Sequence, residues 1–402
     1  MFRLYVLRFR DSSLPASSKG MIALSALALA LGLILNATMV PGAYEWLGLI
    51  RIFWDVSHQA GFWAMCLLVW LVGVRNAPAG RHLLARARSR ALGLWFGLAV
   101  VGFALVLARP HLLGAASPAD AVCFSILLPG LALHLLAAPG GWRERGREAV
   151  NLTLAAALAL LSYTLVAFGY TMAKGMLFVA SKPVDQMLWN ADLHLLGAHF
   201  YQHLAGFRVA HPALTRGLDL VYVGLLQQLW WSFFYFFGAK DIKNGRPYVL
   251  AMLLIYSLGS MAYFVLPSFG PVFHDRASFV DLERLAPDST LLARFLVYHT
   301  VSTMNGTAHS ISPFAFIAAM PSLHVGLALI VLLAMRRSAL LSVFNLCMLL
   351  LTVVATTVLG WHYFVDDIVG AALGLGCWAL ACKIVSWDRP AQKEAVPPAM
   401  QP

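Results

Sequence analysis

The feature that most constrains this chain is a series of apolar stretches, each long enough to cross a bilayer. A helix needs about 20 mostly apolar residues to cross about 30 Å of hydrocarbon. Ten such stretches recur along the 402 residues. They lie at about 21–41, 58–74, 91–108, 120–138, 150–173, 217–238, 247–267, 322–336, 338–360 and 365–386. Because unpaired backbone groups are costly in lipid, the stretches predict an all-α integral membrane protein with about ten transmembrane helices.

Positive charge is distributed unevenly among the loops between these spans. The net charge of +11 is also a feature of nucleic-acid-binding proteins. With both termini placed in the cytoplasm, however, 20 of the 29 Lys and Arg residues fall in inner loops. This positive-inside pattern sets the predicted orientation and speaks against a nucleic-acid partner. We expect a multi-pass protein of the plasma (inner) membrane with cytoplasmic N- and C-termini.

An Arg-rich loop at 142–148 is the predicted domain boundary. Before it, residues 1–149 form a four-span module with little polar content, to which the sequence assigns no role. After it, residues 150–386 contain six spans and the long outer loops. Residues 387–402 form a Pro-rich cytoplasmic tail.

Two outer segments, 184–204 and 288–299, carry apolar residues at helical spacing. They predict interfacial helices on the outer side, each with one wet face. Pro287 and Asp288, directly ahead of the second segment, are typical of a helix start. Two interpretations stay open: the helices cap the bundle, or they shape an opening for lipid.

The first chemical motif is the segment Ala319–Val325, where the long outer loop meets the eighth span. Pro321 favours a first helical turn, since the N–H that it lacks would be unpaired there. The free N–H groups of such a turn and the helix dipole attract anions. Ser322 adds a hydroxyl donor, and His324 adds a group that can be charged near neutral pH. The turn therefore predicts a phosphate site.

The second motif, Gly360–Asp367, lies between spans nine and ten. His362 and Asp366 are four residues apart and share one helix face, so the carboxylate can orient the imidazole for nucleophilic attack. His324 would then act as general acid. Asp367 is a candidate substrate-binding residue. Each motif alone could be an interfacial histidine or an acid in headgroup water, but two spans separate them, which predicts that both emerge on the outer face.

The PSLH turn followed by His-x-x-x-Asp resembles the type 2 phosphatidic acid phosphatase superfamily, and most closely its inositol phosphorylceramide synthase branch. The resemblance implies a six-helix core, here 150–386, preceded by four extra spans. It also implies roles for individual residues: His362 as nucleophile, Asp366 as its orienting partner, His324 as general acid and Ser322 as a phosphate contact. No metal and no cofactor are implied.

The chain departs from the phosphatase branch of that superfamily. That branch has a first motif with Lys and Arg-Pro, and Ser-Arg ahead of the nucleophilic histidine. Here Ala355 and Thr356 occupy the Ser-Arg place. The first motif is expected within 267–276, where Arg276 or His274 is the candidate cation and a plain Gly-Pro loop is the alternative. These departures favour a transferase.

Three functions follow in order of preference. The first is transfer of a phospho-headgroup from a donor lipid, such as a phospholipid or polyprenyl phosphate, to a hydroxyl acceptor through a phosphohistidine. The second is hydrolysis of a lipid or polyprenyl phosphate or diphosphate by the same residues, with water as acceptor. The third is transport, which predicts ionisable residues near the midplane and internal symmetry. The span interiors contain few polar residues, so transport is the least favoured.

Overall fold

The computed structural model describes residues 183–238, 242–305, 307 and 316–387, with parts of two earlier helices within 22–34 and 166–175. In this part of the chain every regular element is helical. In order they are α1 (Asp185–Leu196), α2 (Phe200–Ala210), α3 (Pro212–Gly238), α4 (Ile242–Val265), α5 (Pro271–His274), α6 (Leu282–Leu285), α7 (Pro287–Met304), α8 (Leu323–Met335), α9 (Ala339–Val358) and α10 (Phe364–Ser386), with a 3-10 turn at Arg276–Phe279.

Three of the described helices are long and apolar enough to cross a membrane: Gly245–Val265 within α4, then α9 and α10. Helix α8 is apolar but only 13 residues long. Together with α3, these helices occupy the last five predicted spans. An all-α membrane-embedded protein is therefore consistent with the structure. The predicted spans at 58–74, 91–108 and 120–138 and the tail after Trp387 lie outside the described residues, and the total of ten spans remains a prediction.

Helix α8 occupies the centre of the described bundle and packs against α4, α9 and α10. Its closest approach is to α10, where three glycines allow the two backbones to touch. A Cβ at Gly374 would lie 2.6 Å from the carbonyl oxygen of Gly326, and a Cβ at Gly370 would overlap the carbonyl oxygen of Ser322. Small residues at a helix crossing are a common route to tight packing in membranes, where hydrocarbon offers little drive for association.

The first predicted span contacts the fifth predicted span. A Cβ at Gly169 would lie 2.6 Å from the carbonyl oxygen of Ala28. Ala28 and Tyr170 belong to the same buried cluster as residues of α4, α8 and α10. Ala28 is thus packed together with α4, α8 and α10.

The segment predicted as helical at 184–204 is divided into α1 and α2. Gly197, with a φ of +103°, ends α1 because this conformation is accessible mainly to glycine. The apolar stripe that the sequence predicts on α1 is only partly buried, since Leu188 is buried whereas Met187 is 53% exposed. The buried side of α1 also contains polar groups, the two carboxylates of Asp185 and Asp192.

Helix α7 begins at Pro287, in the place that the sequence predicts. Its first turn is closed by Asp219 of α3, whose carboxylate accepts hydrogen bonds from the backbone N–H groups of Asp288 at 3.0 Å and Ser289 at 2.7 Å. The predicted apolar stripe is shared between two environments. Leu296 is buried, whereas Leu291 is exposed.

We predict that Gly370→Ala destabilises the protein, because the added methyl group overlaps backbone that cannot move without displacing α8 from α10. Overpacking of this kind costs about 1–3 kcal/mol of unfolding free energy. Gly376→Ala is the matched control on the same helix, since a Cβ there meets no atom within 4 Å. Thermal unfolding in detergent measures the difference. Equal stability of the two variants would contradict the packing argument.

Candidate active site

The structure brings the two chemical motifs together at one end of the bundle, where α8 and α10 both begin. The backbone N–H of Ser322 donates to the carbonyl oxygen of Asp366 at 3.0 Å. Just beyond this bond, Nδ1 of His324 lies 3.1 Å from Nε2 of His362. Two histidines that are 38 positions apart in the chain are therefore direct neighbours.

The tautomer of His362 is set by its contact with the backbone. Its Nδ1 lies 2.9 Å from the carbonyl oxygen of Ala319. A carbonyl can only accept, so Nδ1 carries the proton and Nε2 holds the lone pair. Burial lowers the pKa of His362 to about 3, an effect that the nearby Lys174 strengthens and the Ala319 hydrogen bond opposes. The ring is therefore neutral at physiological pH, with an unprotonated Nε2 facing His324.

Asp366 lies beside the His362 ring without a hydrogen bond to it. Its Oδ2 is 3.7 Å from Nδ1 of His362, which is beyond hydrogen-bonding distance. The same oxygen accepts the backbone N–H of Tyr363 at 3.0 Å and closes the first turn of α10. Its Oδ1 is buried and has no partner among the described residues. The backbone carbonyl of Ala319, and not Asp366, therefore fixes the tautomer of His362.

Ser322 and Asp367 lie behind the histidine pair. The Ser322 hydroxyl accepts the backbone N–H of Val325 at 3.5 Å and caps α8. Asp367 accepts hydrogen bonds from the hydroxyls of Thr356 at 2.8 Å and Thr357 at 3.3 Å. Both side chains are buried, and neither lines the cavity beside the histidines. Their contacts hold the ends of α8, α9 and α10 in place.

The ring of His324 is held by an aromatic stack. Tyr222 of α3 stacks on His324 with 4.6 Å between ring centroids and 24° between ring planes. On Tyr222 in turn lies Trp361, at 4.9 Å and 12°. Three flat rings in contact restrict the rotation of His324, because any turn about its side-chain bonds would break the stack.

A cavity of about 120 Å³ opens beside the two histidines. Its polar lining consists of the histidines, one lysine and four tyrosines, namely His324, His362, Lys174, Tyr170, Tyr222, Tyr256 and Tyr263. Among the described lining residues, Lys174 is the only lysine or arginine, and burial lowers its pKa to about 7. It is 8% exposed, and its Nζ lies 5.1 Å from the ring centroid of Tyr170.

Sequence reasoning missed Lys174. It directly follows the predicted span at 150–173, and that position at the end of an apolar stretch was the available signal. The two candidate cations named from the sequence lie elsewhere. Arg276 has an 84% exposed side chain that faces Glu283 at 3.9 Å, and His274 packs against Trp189 with 5.5 Å between ring centroids. Neither lines the histidine cavity.

Asp192 and Asp185, which the sequence did not single out, hold the loop around His362 from outside. Asp192 of α1 accepts the backbone N–H groups of Phe364 at 2.7 Å and Val365 at 3.0 Å. It thereby caps α10 with a side chain that is 172 positions away from Phe364. The hydroxyl of Tyr201 donates to the same carboxylate at 2.8 Å.

Asp185 lies about two turns before Asp192 on α1 and contacts the other side of the same loop. It accepts the hydroxyl of Tyr363 at 2.9 Å. It also accepts the backbone N–H groups of Phe269 and Gly270, each at 2.9 Å for Oδ1. The seven-residue spacing of the two aspartates on α1 was the only sequence signal for this pair.

The comparisons with known proteins agree with this geometry. Residues 186–380 match the family model of the PAP2 superfamily. The match spans both chemical motifs and supports the type 2 phosphatidic acid phosphatase superfamily for this part of the chain. Comparison with curated proteins gave no match, and comparison with solved structures gave none either. The inositol phosphorylceramide synthase branch remains a prediction.

We predict that His362 stays neutral, with its proton on Nδ1, throughout pH 5–8 (about two units or more above the pKa of about 3). Its depressed pKa means that protonation begins only as the pH falls toward that value. Solid-state NMR of ¹⁵N-histidine-labelled protein would show one Nδ1–H and one bare Nε2 signal that do not titrate. The spectrum of His362→Gln assigns them by their loss. Titration of these signals with a midpoint near the ordinary histidine value would contradict the prediction.

Proposed function

We propose that the chain is a membrane lipid phosphotransferase that moves a phospho-headgroup from a donor lipid to a hydroxyl acceptor through a phosphohistidine. The superfamily match supports a lipid phosphatase or phosphotransferase. The observation that carries the finer proposal is the bare Nε2 of His362, 3.1 Å from Nδ1 of His324, at a cavity that also holds Lys174.

In the first step the donor phosphate enters between the two histidines and replaces their mutual hydrogen bond. Its negative charge favours the protonated form of His324. Nε2 of His362 attacks phosphorus and forms a P–N bond, while the P–O bond to the lipid breaks. The departing oxygen takes its proton from His324, which acts as general acid. The products of this step are a lipid alcohol and a phosphohistidine.

In the second step the acceptor hydroxyl gives its proton to His324 and attacks phosphorus. The P–N bond breaks, and His362 returns to its neutral form. Water in place of the acceptor would make the same site a phosphatase, which is the alternative function. No step uses a metal ion, and among the described residues no group of three or more His, Cys, Asp or Glu side chains could hold one. Metal independence stays a prediction, and an activity assay in the presence of a chelator would test it.

Each charge that develops has a neighbour of opposite sign. Lys174 and the N-terminus of α8 face the phosphate oxygens. When Nε2 attacks, the His362 ring becomes positive, and the Asp366 carboxylate at 3.7 Å stabilises it. Ala319 keeps the proton on Nδ1 throughout. In this scheme Lys174 replaces the cations of the first motif that the chain lacks.

We place this site on the outer side of the plasma membrane, with both termini in the cytoplasm, because positive charge is concentrated in the loops at the opposite end of the spans. The six-span core at 150–386 would carry the chemistry. The replacement of Ser-Arg by Ala355 and Thr356 favours transfer over hydrolysis, since an arginine suited to free phosphate is absent there.

The test is to follow labelled headgroup phosphate in purified protein in lipid nanodiscs, with and without a mixture of hydroxyl acceptors. We expect label to pass to a new lipid or polyol only when an acceptor is present, and not at all in His362→Ala. Release of free labelled phosphate regardless of acceptor would establish the phosphatase instead. Retention of transfer in His362→Ala would sink the phosphohistidine mechanism.

We predict that Asp366→Asn lowers kcat by about two to three orders of magnitude while the protein stays folded, which is the usual cost of removing one group that stabilises the charge of a transition state. Asparagine can still accept the Tyr363 N–H and cap α10, but it cannot stabilise a positive imidazole. Asp367→Asn is the control, because its carboxylate accepts from threonines behind the site. Single-turnover kinetics with labelled donor measures the effect. A larger loss in Asp367→Asn than in Asp366→Asn would reverse the two roles.

A further inference from the structure

A second and larger cavity lies against the outer helices. It has a volume of about 580 Å³ and runs between α7 and the segment from α5 to α6. We call it the α7 groove. Ala293, Val297 and Val301, spaced four apart, form its wall on α7, and Phe279 and Val280 lie among the residues of the opposite wall. Residues four apart share one face of a helix, so the groove follows the helix axis.

The α7 groove and the histidine cavity are neighbours. Trp361, which directly precedes the nucleophile, lines both of them. Helix α7 also lines both, since Leu292 and Leu296 face the histidine cavity while Ala293 and Val297 face the groove. Helix α7 and the indole ring of Trp361 therefore border both spaces.

The two spaces differ in size and in chemistry. A volume of about 120 Å³ can hold a phosphate with part of a headgroup but has no room for hydrocarbon as well. The α7 groove, at about 580 Å³, is within the usual range for sites that bury a whole organic ligand. Most of the side chains that line it are apolar.

Charge is confined to a few side chains of the α7 groove. Glu283 pairs with Arg294 at 3.2 Å and with Arg276 at 3.9 Å. These three groups leave one net positive charge, and all are more than half exposed. An apolar groove with an excess cation matches an amphiphile that has a hydrocarbon chain and a negatively charged head.

We propose, on the basis of the proposed function, that the α7 groove binds a hydrocarbon chain of the anionic donor lipid while its phosphate reacts in the histidine cavity. The groove then determines which chain lengths are accepted. Trp361 lies at the junction between the hydrocarbon chain and the headgroup. In this proposal Arg276 acts on the lipid that is bound in the groove and does not contact the reacting phosphorus.

The test is to fill the groove and compare donors that share one headgroup but carry either long or short acyl chains. In Val297→Trp the indole occupies the space of the chain. We expect kcat/KM for the long-chain donor to fall about tenfold or more, mainly through KM, because a hydrophobic pocket discriminates by roughly that factor per group excluded. Turnover of the short-chain donor should stay within about twofold of the wild-type value, since the reacting residues are untouched.

Leu291→Trp is the matched control, because Leu291 is 68% exposed on the same helix and does not line the groove. It should leave both donors unchanged. An equal fall for long and short donors in Val297→Trp, or no fall for either, would overturn the proposed chain site.

A binding measurement separates this inference from the proposed function. A photoreactive long-chain phosphatidic acid should label the peptide containing Ala293–Val301 in wild type and in His362→Ala, and label it much less in Val297→Trp. If the wild-type protein turned over neither donor, the phosphotransferase proposal would fail. The labelling result would still show whether the α7 groove binds the hydrocarbon chain. Labelling that is unchanged in Val297→Trp would overturn the proposed chain site.

Discussion

The contact between the backbones of α8 and α10 is the constraint on which the rest of the structure depends. Gly326, Gly370 and Gly374 allow carbonyl groups of one helix to approach the Cα atoms of the other. This approach lets the N–H of Ser322 reach the carbonyl oxygen of Asp366. Since His324 and His362 are each within a few residues of that bond, their separation is set by backbone geometry and not by flexible side chains.

A second constraint is that buried charged side chains form hydrogen bonds with backbone groups. Asp185, Asp192 and Asp219 each accept N–H groups at the start of a helix or in a loop. Arg208, which is fully buried, pairs with both carboxylate oxygens of Asp281 and donates to the carbonyl oxygens of Ser278 and Val358. Such groups would be costly in a low-dielectric interior without partners. Hydrogen bonds to buried side chains thus fix the loops near the two histidines, although these loops contain little regular structure.

These two features explain how far the sequence could predict the site. PSLH and HYFVD were recognisable because each combines a helix start with a histidine at fixed spacing. The even number of spans between them predicted that both lie on one face. The carbonyl of Ala319 as the partner of His362 could not be predicted, because it depends on the path of a loop whose conformation has no periodic signal. The same holds for Asp185 and Asp192, whose hydrogen bonds span 84 to 178 positions of the chain. It also holds for Lys174, which lines one cavity with His324 and His362 although it lies far from both in the chain.

The fold was predictable to a similar depth. Apolar runs gave α4, α9 and α10 because lipid imposes one length scale on helices. Helices α1 and α7 were expected from their periodicity. The face that each helix buries could not be predicted, because periodicity does not distinguish a lipid-facing leucine from a packed one. On α7 this ambiguity has a chemical consequence. Leu292 and Leu296 close the histidine cavity, while the next residue along from each, Ala293 and Val297, opens the α7 groove. Because successive residues of a helix are turned by about 100°, one helix lines both the histidine cavity and the apolar groove. In the proposed function, the same helix would border the reacting phosphate on one face and the lipid chain on the next.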